Sequence, residues 1–148
     1  MSEKLNISSE LLDAKRFHGH LGPYLVIGMR MGGIFCGTWG DRPFGFRIFT
    51  TAGWEPPPSC VIDGLQISTP CTIGNSMLRV LQGDPLRAWA EKDGIRLEIT
   101  LQPAVRIRID RETTRENEES FAQELWQAPP EELFEIRRTT LAFTGHTG

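Results

Sequence analysis

The chain has 148 residues and a mass of 16.7 kDa, enough for one domain with its own hydrophobic core. With 39% hydrophobic and 24% charged residues it has an ordinary globular composition, and a net charge of −3 with a pI near 5.6 argues against a general nucleic-acid binder, which needs a basic face. Three cysteines, an odd number, argue against a disulfide framework; MSEKLNISSE at the start holds no apolar signal segment, so a reducing, cytoplasmic setting is expected.

Residues 8–16, SSELLDAKR, place Ser8 or Ser9 as an N-cap ahead of Glu10, Leu11 and Leu12, the pattern of a short amphipathic helix. It leads to Phe17-His18-Gly19-His20. In an extended conformation side chains two apart share a face, so His18 and His20 can converge on one point. They are then ligands of a divalent metal such as zinc, or loop histidines that cap the next helix. Pro23 suits the first turn of that helix, which runs to about Cys36 and is apolar nearly all round. The apolar run from Leu21 to Trp39 is diluted by five glycines and interrupted by Arg30. An arginine at mid-bilayer costs about 2.5–3.5 kcal/mol even on the lenient insertion scale, so this is a buried central helix and no membrane span is expected. Gly28, Gly32 and Gly33 each weaken it by up to about 1 kcal/mol relative to alanine, which points to close approach of another backbone. Cys36 reads as a small buried filler.

Residues 44–52, FGFRIFTTA, have the aromatic and β-branched content of a strand. Residues 54–58, WEPPP, read as a stiff extended loop, with Trp54 and Glu55 able to cover a site. The next sixteen residues, CVIDGLQISTPCTIGN, are the densest in chemistry. Their first half has helical spacing and is stopped by Pro70; Cys71-Thr72-Ile73-Gly74-Asn75 then makes a tight turn. A helix ending in a turn with a thiol, hydroxyls and an amide is either the wall of a site or a buried helix with small polar caps.

The second half is mostly sheet. Residues 76–81 and 86–90 are strands joined by the turn Gln82-Gly83-Asp84-Pro85. Asp93-Gly94 turns the chain into 95–101, where Ile95, Leu97, Ile99 and Leu101 alternate with polar residues. Val105, Ile107 and Ile109 alternate in the same way and suggest an edge strand or extended arm. Thr113-x-x-Glu116 is a capping box that starts a helix to about Gln127, ended by Pro129-Pro130. Residues 131–138, EELFEIRR, give a helical turn or strand, and Thr144 to Gly148 a frayed tail.

His18, His20, Cys60 and Cys71 are the metal-ligand candidates near loop or helix ends, with His146 in the tail. A His₂Cys set with an open fourth position is a catalytic type of centre, whereas a closed set that includes Cys71 is structural. No CxxC pair occurs, and no GxGxxG or GxxxxGK[ST] motif, so neither a zinc finger nor a nucleotide site has support. A cysteine–histidine nucleophile pair is open too, without a clear orienting third member.

FHGHLGPYLVIGMRMG followed by CVIDGLQISTPCTIGN resembles the FmdE family, which takes its name from an operon association with formylmethanofuran dehydrogenase. Its members carry His-Gly-His-x-Cys-Pro-Gly, a Gly-x-Arg on the helix, and Cys-x-x-Asp-Ala-x-Gln ending in Gly-Cys-Thr-x-Gly. The matching positions are His18, Gly19, His20, Pro23, Gly28, Arg30, Cys60, Asp63, Gln66, Cys71, Thr72 and Gly74, and PPEELFEIRR resembles the family's closing segment. Two departures stand out: Gly22 replaces the usual cysteine and Tyr24 a usual glycine. The cysteine-rich zinc finger that many members append is expected to be missing.

The resemblance implies a single FmdE-like core domain over residues 1–148. Its expected fold is α+β: helix–strand–helix, then three mainly antiparallel strands in a mixed sheet, with a C-terminal helix. It implies a homodimer and a metal held by His18, His20 and Cys60, zinc first, with nickel or iron as alternatives. Around it a pocket of Asp63, Gln66, Cys71, Thr72 and Asn75 is expected. The implied role is that of a metal-binding protein linked to formylmethanofuran dehydrogenase or a related molybdenum or tungsten oxidoreductase. The alternatives are a non-catalytic accessory or assembly protein, or a degenerate homodimer without activity.

Overall fold

The computed structural model describes residues 7–142. Within them, helices pack on one face of a five-stranded mixed sheet, the α+β arrangement expected. In chain order the elements are α1 (Ser9–His18), α2 (Pro23–Trp39), β1 (Ile48–Thr50), α3 (Cys60–Ser68), β2 (Leu78–Val80), β3 (Arg87–Lys92), β4 (Ile95–Leu101), α4 (Pro103–Glu112), α5 (Glu118–Gln127), α6 (Pro130–Leu133) and β5 (Phe134–Thr140). The strand order is β2-β1-β3-β4-β5. Only β1 and β2 run parallel, so α3 forms the crossover that a parallel pair requires.

Alternation explains the sheet. Ile48, Ala88, Ala90, Leu97, Ile99 and Leu101 point inward and are fully buried. The outer face carries Phe49 stacked on Trp89, with the guanidinium groups of Arg87 and Arg96 each 4.9 Å from the Trp89 ring. Apolar nearly all round, α2 is the central helix: it touches β4 and is flanked by α1, α3 and α5. Two of its glycines do what their helix penalty suggested. A Cβ on Gly28 would lie 2.3 Å from the Val61 carbonyl oxygen, so α2 and α3 meet there backbone to backbone, and one on Gly32 would lie 1.9 Å from Ser68 Oγ, a side chain at the end of α3. Gly33 has nothing within 4 Å of such a Cβ. Cys36 is half-buried beside the Ser68 carbonyl, and α2 continues three residues past it, to Trp39. Among the described residues, no helix is long and apolar enough to cross a membrane.

Several segments differ from their expected form. The strand of residues 44–52 is only three residues long, because Phe44 sits at φ 62° and Gly45 N–H donates to Arg42 O in a turn. Residues 54–58 are not extended. Ser59, Cys60 and Val61 donate to Glu55, Pro57 and Pro58 carbonyls, winding the chain into α3. The turn at 82–85 joins no hairpin, since β1 lies between β2 and β3. Residues 104–109 are helical. Pro103 sits in the first turn of α4, and Val105 and Ile109, four apart, share a face with Ile109 buried, while Ile107 is half exposed.

The capping box does not form: the Thr113 hydroxyl donates back to Ile109 O at the end of α4, and α5 begins after a Thr114–Asn117 turn. Residues 131–138 contain both readings, α6 and then the edge strand β5. The tail from Thr144 onward, with His146, lies outside the described residues.

Candidate metal centre

Helix α1 buries Leu11 and Ala14, and His18, seven residues beyond Leu11, falls on the same face at the helix end. The next residue is Gly19 at φ 108°, its N–H bonded to Lys15 O. This left-handed cap, natural to glycine, reverses the chain and brings the two imidazoles together with centroids 4.7 Å apart. The convergence expected from an extended segment is thus produced by a helix cap. Cys60, the first residue of α3, arrives from the opposite side, because α3 packs on both α1 and α2.

His18, His20 and Cys60 each offer a ligand atom, and these atoms lie within 4.8 Å of one another. Tetrahedral bonding at about 2.0–2.1 Å to nitrogen and 2.3 Å to sulfur puts donor atoms roughly 3.4–3.6 Å apart. A contraction of about 1 Å, within the reach of side-chain rotation, would close the set.

The electrostatics of His18 fit a ligand. Its Nδ1 lies 2.7 Å from Asp63 Oδ2, and a carboxylate only accepts, so Nδ1 carries a proton and, in the neutral ring, Nε2 carries the lone pair. That Nε2 is buried and has no hydrogen-bond partner among the described residues. An unmatched buried acceptor costs about 1–3 kcal/mol, a penalty that a cation at this point would remove. Asp63 is itself held: Gln66 Nε2 donates to its other oxygen at 3.1 Å, and Gln66 Oε1 accepts from Ile73 N–H at 2.8 Å. The helix and the turn after it are therefore tied to one imidazole through two side chains.

His20 is more exposed, and its Nδ1 faces Glu118 Oε2 at 3.5 Å. Burial pushes the Cys60 thiol up, and the carboxylates of Asp63 and Glu118 push it the same way. Without a cation it is a neutral thiol, the opposite of an activated nucleophile.

The rest of the expected pocket divides. Asp63, Gln66 and Trp54 border a cleft beside His18 and Cys60. Cys71 does not reach it; the residue is 2% exposed, its thiol donates to Phe46 O at 3.2 Å, and burial raises its pKa. Thr72 and Asn75 exchange hydrogen bonds with each other's backbone N–H and close the turn. On the other side of Cys60 lies a second cavity, bordered by Gly22, Tyr24, Asp110 and Glu118. Asp110 and Glu118 carried no signal in the sequence, being far along the chain from the histidines and ordinary for helix surfaces. Tyr24 donates to Asp110 Oδ1 at 2.6 Å, and burial, then Asp110, pushes its pKa well up.

The family model described as "FmdE, Molybdenum formylmethanofuran dehydrogenase operon" matches residues 17–135. A 73-residue segment is 36% identical to a probable S-adenosyl-L-methionine-binding protein of Archaeoglobus fulgidus, covering 46% of this chain. The match spans 19% of that relative's length. The fold is similar to the crystal structure of an FmdE-like protein of the tungsten formylmethanofuran dehydrogenase type from Syntrophus aciditrophicus. The TM-score is 0.59 at 24% identity, over 97% of this chain and 80% of that one, a likeness of fold alone.

Proposed function

The chain belongs to the FmdE family, and from that premise we propose that it holds one divalent transition metal through His18, His20 and Cys60, with the fourth position open. The observation that carries this reading is the buried, unpartnered His18 Nε2 whose opposite nitrogen is fixed by Asp63. Two imidazoles and a thiol suit zinc first, and nickel or iron next. A cation bound there would supply Lewis acidity in the cleft between Trp54 and Gln66. The chain's own part is to orient His18 through Asp63, to hold Asp63 through Gln66, and to release the Cys60 proton on binding.

The alternative, a Cys60–His18–Asp63 nucleophile, is disfavoured by two features. His18 Nε2 makes no hydrogen bond to the Cys60 sulfur, and the thiol is pushed up instead of down.

The tie to a molybdenum or tungsten formylmethanofuran dehydrogenase, the cytoplasmic setting and the homodimer enter the proposal on the family alone. Gly28 and Gly32 are used within the chain, against α3, and residues 104–109 lie in α4. A light-scattering mass of one chain would refute the dimer.

Elemental analysis of protein purified without a histidine tag tests the site. About one metal per chain is expected, lost in both His18→Ala and Cys60→Ser; a content that neither variant changes refutes it.

A further inference from the structure

The second cavity, about 290 Å³, shares His20 and Cys60 with the candidate centre but opens on other groups. It exists partly because residue 22 has no side chain. A Cβ on Gly22 would lie 3.3 Å from His20 Cε1 and 3.8 Å from Glu118 Oε1, so any larger residue would project into the gap between imidazole and carboxylate.

The hydrogen-bonding inventory of the walls leans toward acceptors. The Tyr24 hydroxyl proton is engaged by Asp110 and the Thr113 hydroxyl proton by Ile109 O. Apart from the Cys60 thiol and the His20 imidazole, which faces Glu118 Oε2 at 3.5 Å, what remains open is the second oxygen of Asp110, Glu118 Oε1 and the Thr113 hydroxyl lone pairs, all acceptors. Among the described residues, no lysine or arginine lines the space. Arg106 reaches the Tyr24 hydroxyl from behind and pairs with Asp84 outside the cavity, and Lys15 pairs with Glu119. Pro57 and Ile109 supply an apolar floor. A ligand that brings donors and positive charge gains partners here, whereas an anion meets two carboxylates.

We infer that this cavity is a binding site for a small organic cation, a primary ammonium on a short apolar chain, read by Glu118 and Asp110. The inference goes beyond the metal reading and does not depend on it.

The test is titration of metal-free, isotope-labelled protein with n-butylamine, 1-butanol and butyrate at neutral pH, followed by backbone amide NMR. The ammonium is expected to shift the amides of Gly22, Thr113 and Glu118 in a saturable way. The alcohol should bind at least fivefold more weakly, and butyrate should give no saturable shift. Glu118→Gln, nearly isosteric, and Asp110→Asn should each weaken the ammonium at least fivefold; either one, correctly folded by its spectrum, suffices. Butyrate binding as well as butylamine, an absence of saturable shifts, or unchanged affinity in the folded variants would overturn the inference. A metal content that neither His18→Ala nor Cys60→Ser changes, with ammonium binding intact, would defeat the metal reading alone, and the reverse result this one alone.

Discussion

Gly64→Ala is the sharpest probe of how the fold positions the site. An ideal Cβ at residue 64 would lie 2.2 Å from Leu25 O, 2.7 Å from Met29 N and 2.8 Å from Gly28 Cα. All three are backbone atoms of α2, so no side chain can swing aside and the helices must separate. One extra methylene in a well-packed interior costs about 1–3 kcal/mol, and rigid backbone neighbours place this case at the upper end. Alanine returns about 1 kcal/mol of helix propensity, which leaves a net loss of about 2 kcal/mol. In a domain of this size that lowers Tm by about 6 °C. Because α3 also carries Cys60 and Asp63, metal affinity should fall with stability. Gly33→Ala on α2 is the control: a Cβ there meets nothing within 4 Å, so it should raise stability by up to about 1 kcal/mol. Urea unfolding with fluorescence detection gives both values. A Gly64→Ala variant as stable as the parent, or a Gly33→Ala variant that loses as much, would refute the close-packing argument.

Asp63→Ala should leave a folded protein whose metal affinity, measured by competition with a chelator, drops about 10- to 100-fold, since His18 loses the partner that sets its tautomer. Arg30 donates to the Leu125 and Trp126 carbonyls at the end of α5, so Arg30→Met should cost about 1.5–3 kcal/mol in urea unfolding while metal stoichiometry stays unchanged. Arg108 grips Glu124 with two hydrogen bonds and holds its carboxyl below the usual range. A depressed folded-state pKa stabilises above the ordinary carboxylate value and loses that contribution as pH falls through the folded one. Both side chains are exposed, so the gap between parent and Glu124→Gln should be no more than about 1 kcal/mol at pH 7 and should close toward pH 3. A constant gap would contradict this.

Much of the fold was legible because the strong periodicities were local. Ile95 to Leu101 alternates and is a strand with its apolar face buried; Ser8 and the leucines after it start α1 as expected. Residues 105–109 misled because three apolar residues two apart also place the first and third on one helical face, and Pro103 favours the helix start. Thr113-x-x-Glu116 looked like a cap, but the hydroxyl had a nearer partner in the preceding turn of α4.

At the centre, His18, His20 and Cys60 come together as the motifs suggested. Cys71 does not join them, because its turn is anchored by Thr69 and Phe46 on the buried side. Asp110 and Glu118 were beyond reach: only packing of α4 and α5 beside α2 brings such ordinary helix carboxylates to Tyr24 and His20.

X-ray absorption at the edge of the bound metal tests the central claim most directly. The account predicts, for zinc, a first shell with one sulfur at about 2.3 Å and two imidazole nitrogens at about 2.0–2.1 Å, the metal and its sulfur signal being lost together in Cys60→Ser. A shell of oxygen and nitrogen alone in the parent protein, or a sulfur that persists without Cys60, would contradict it.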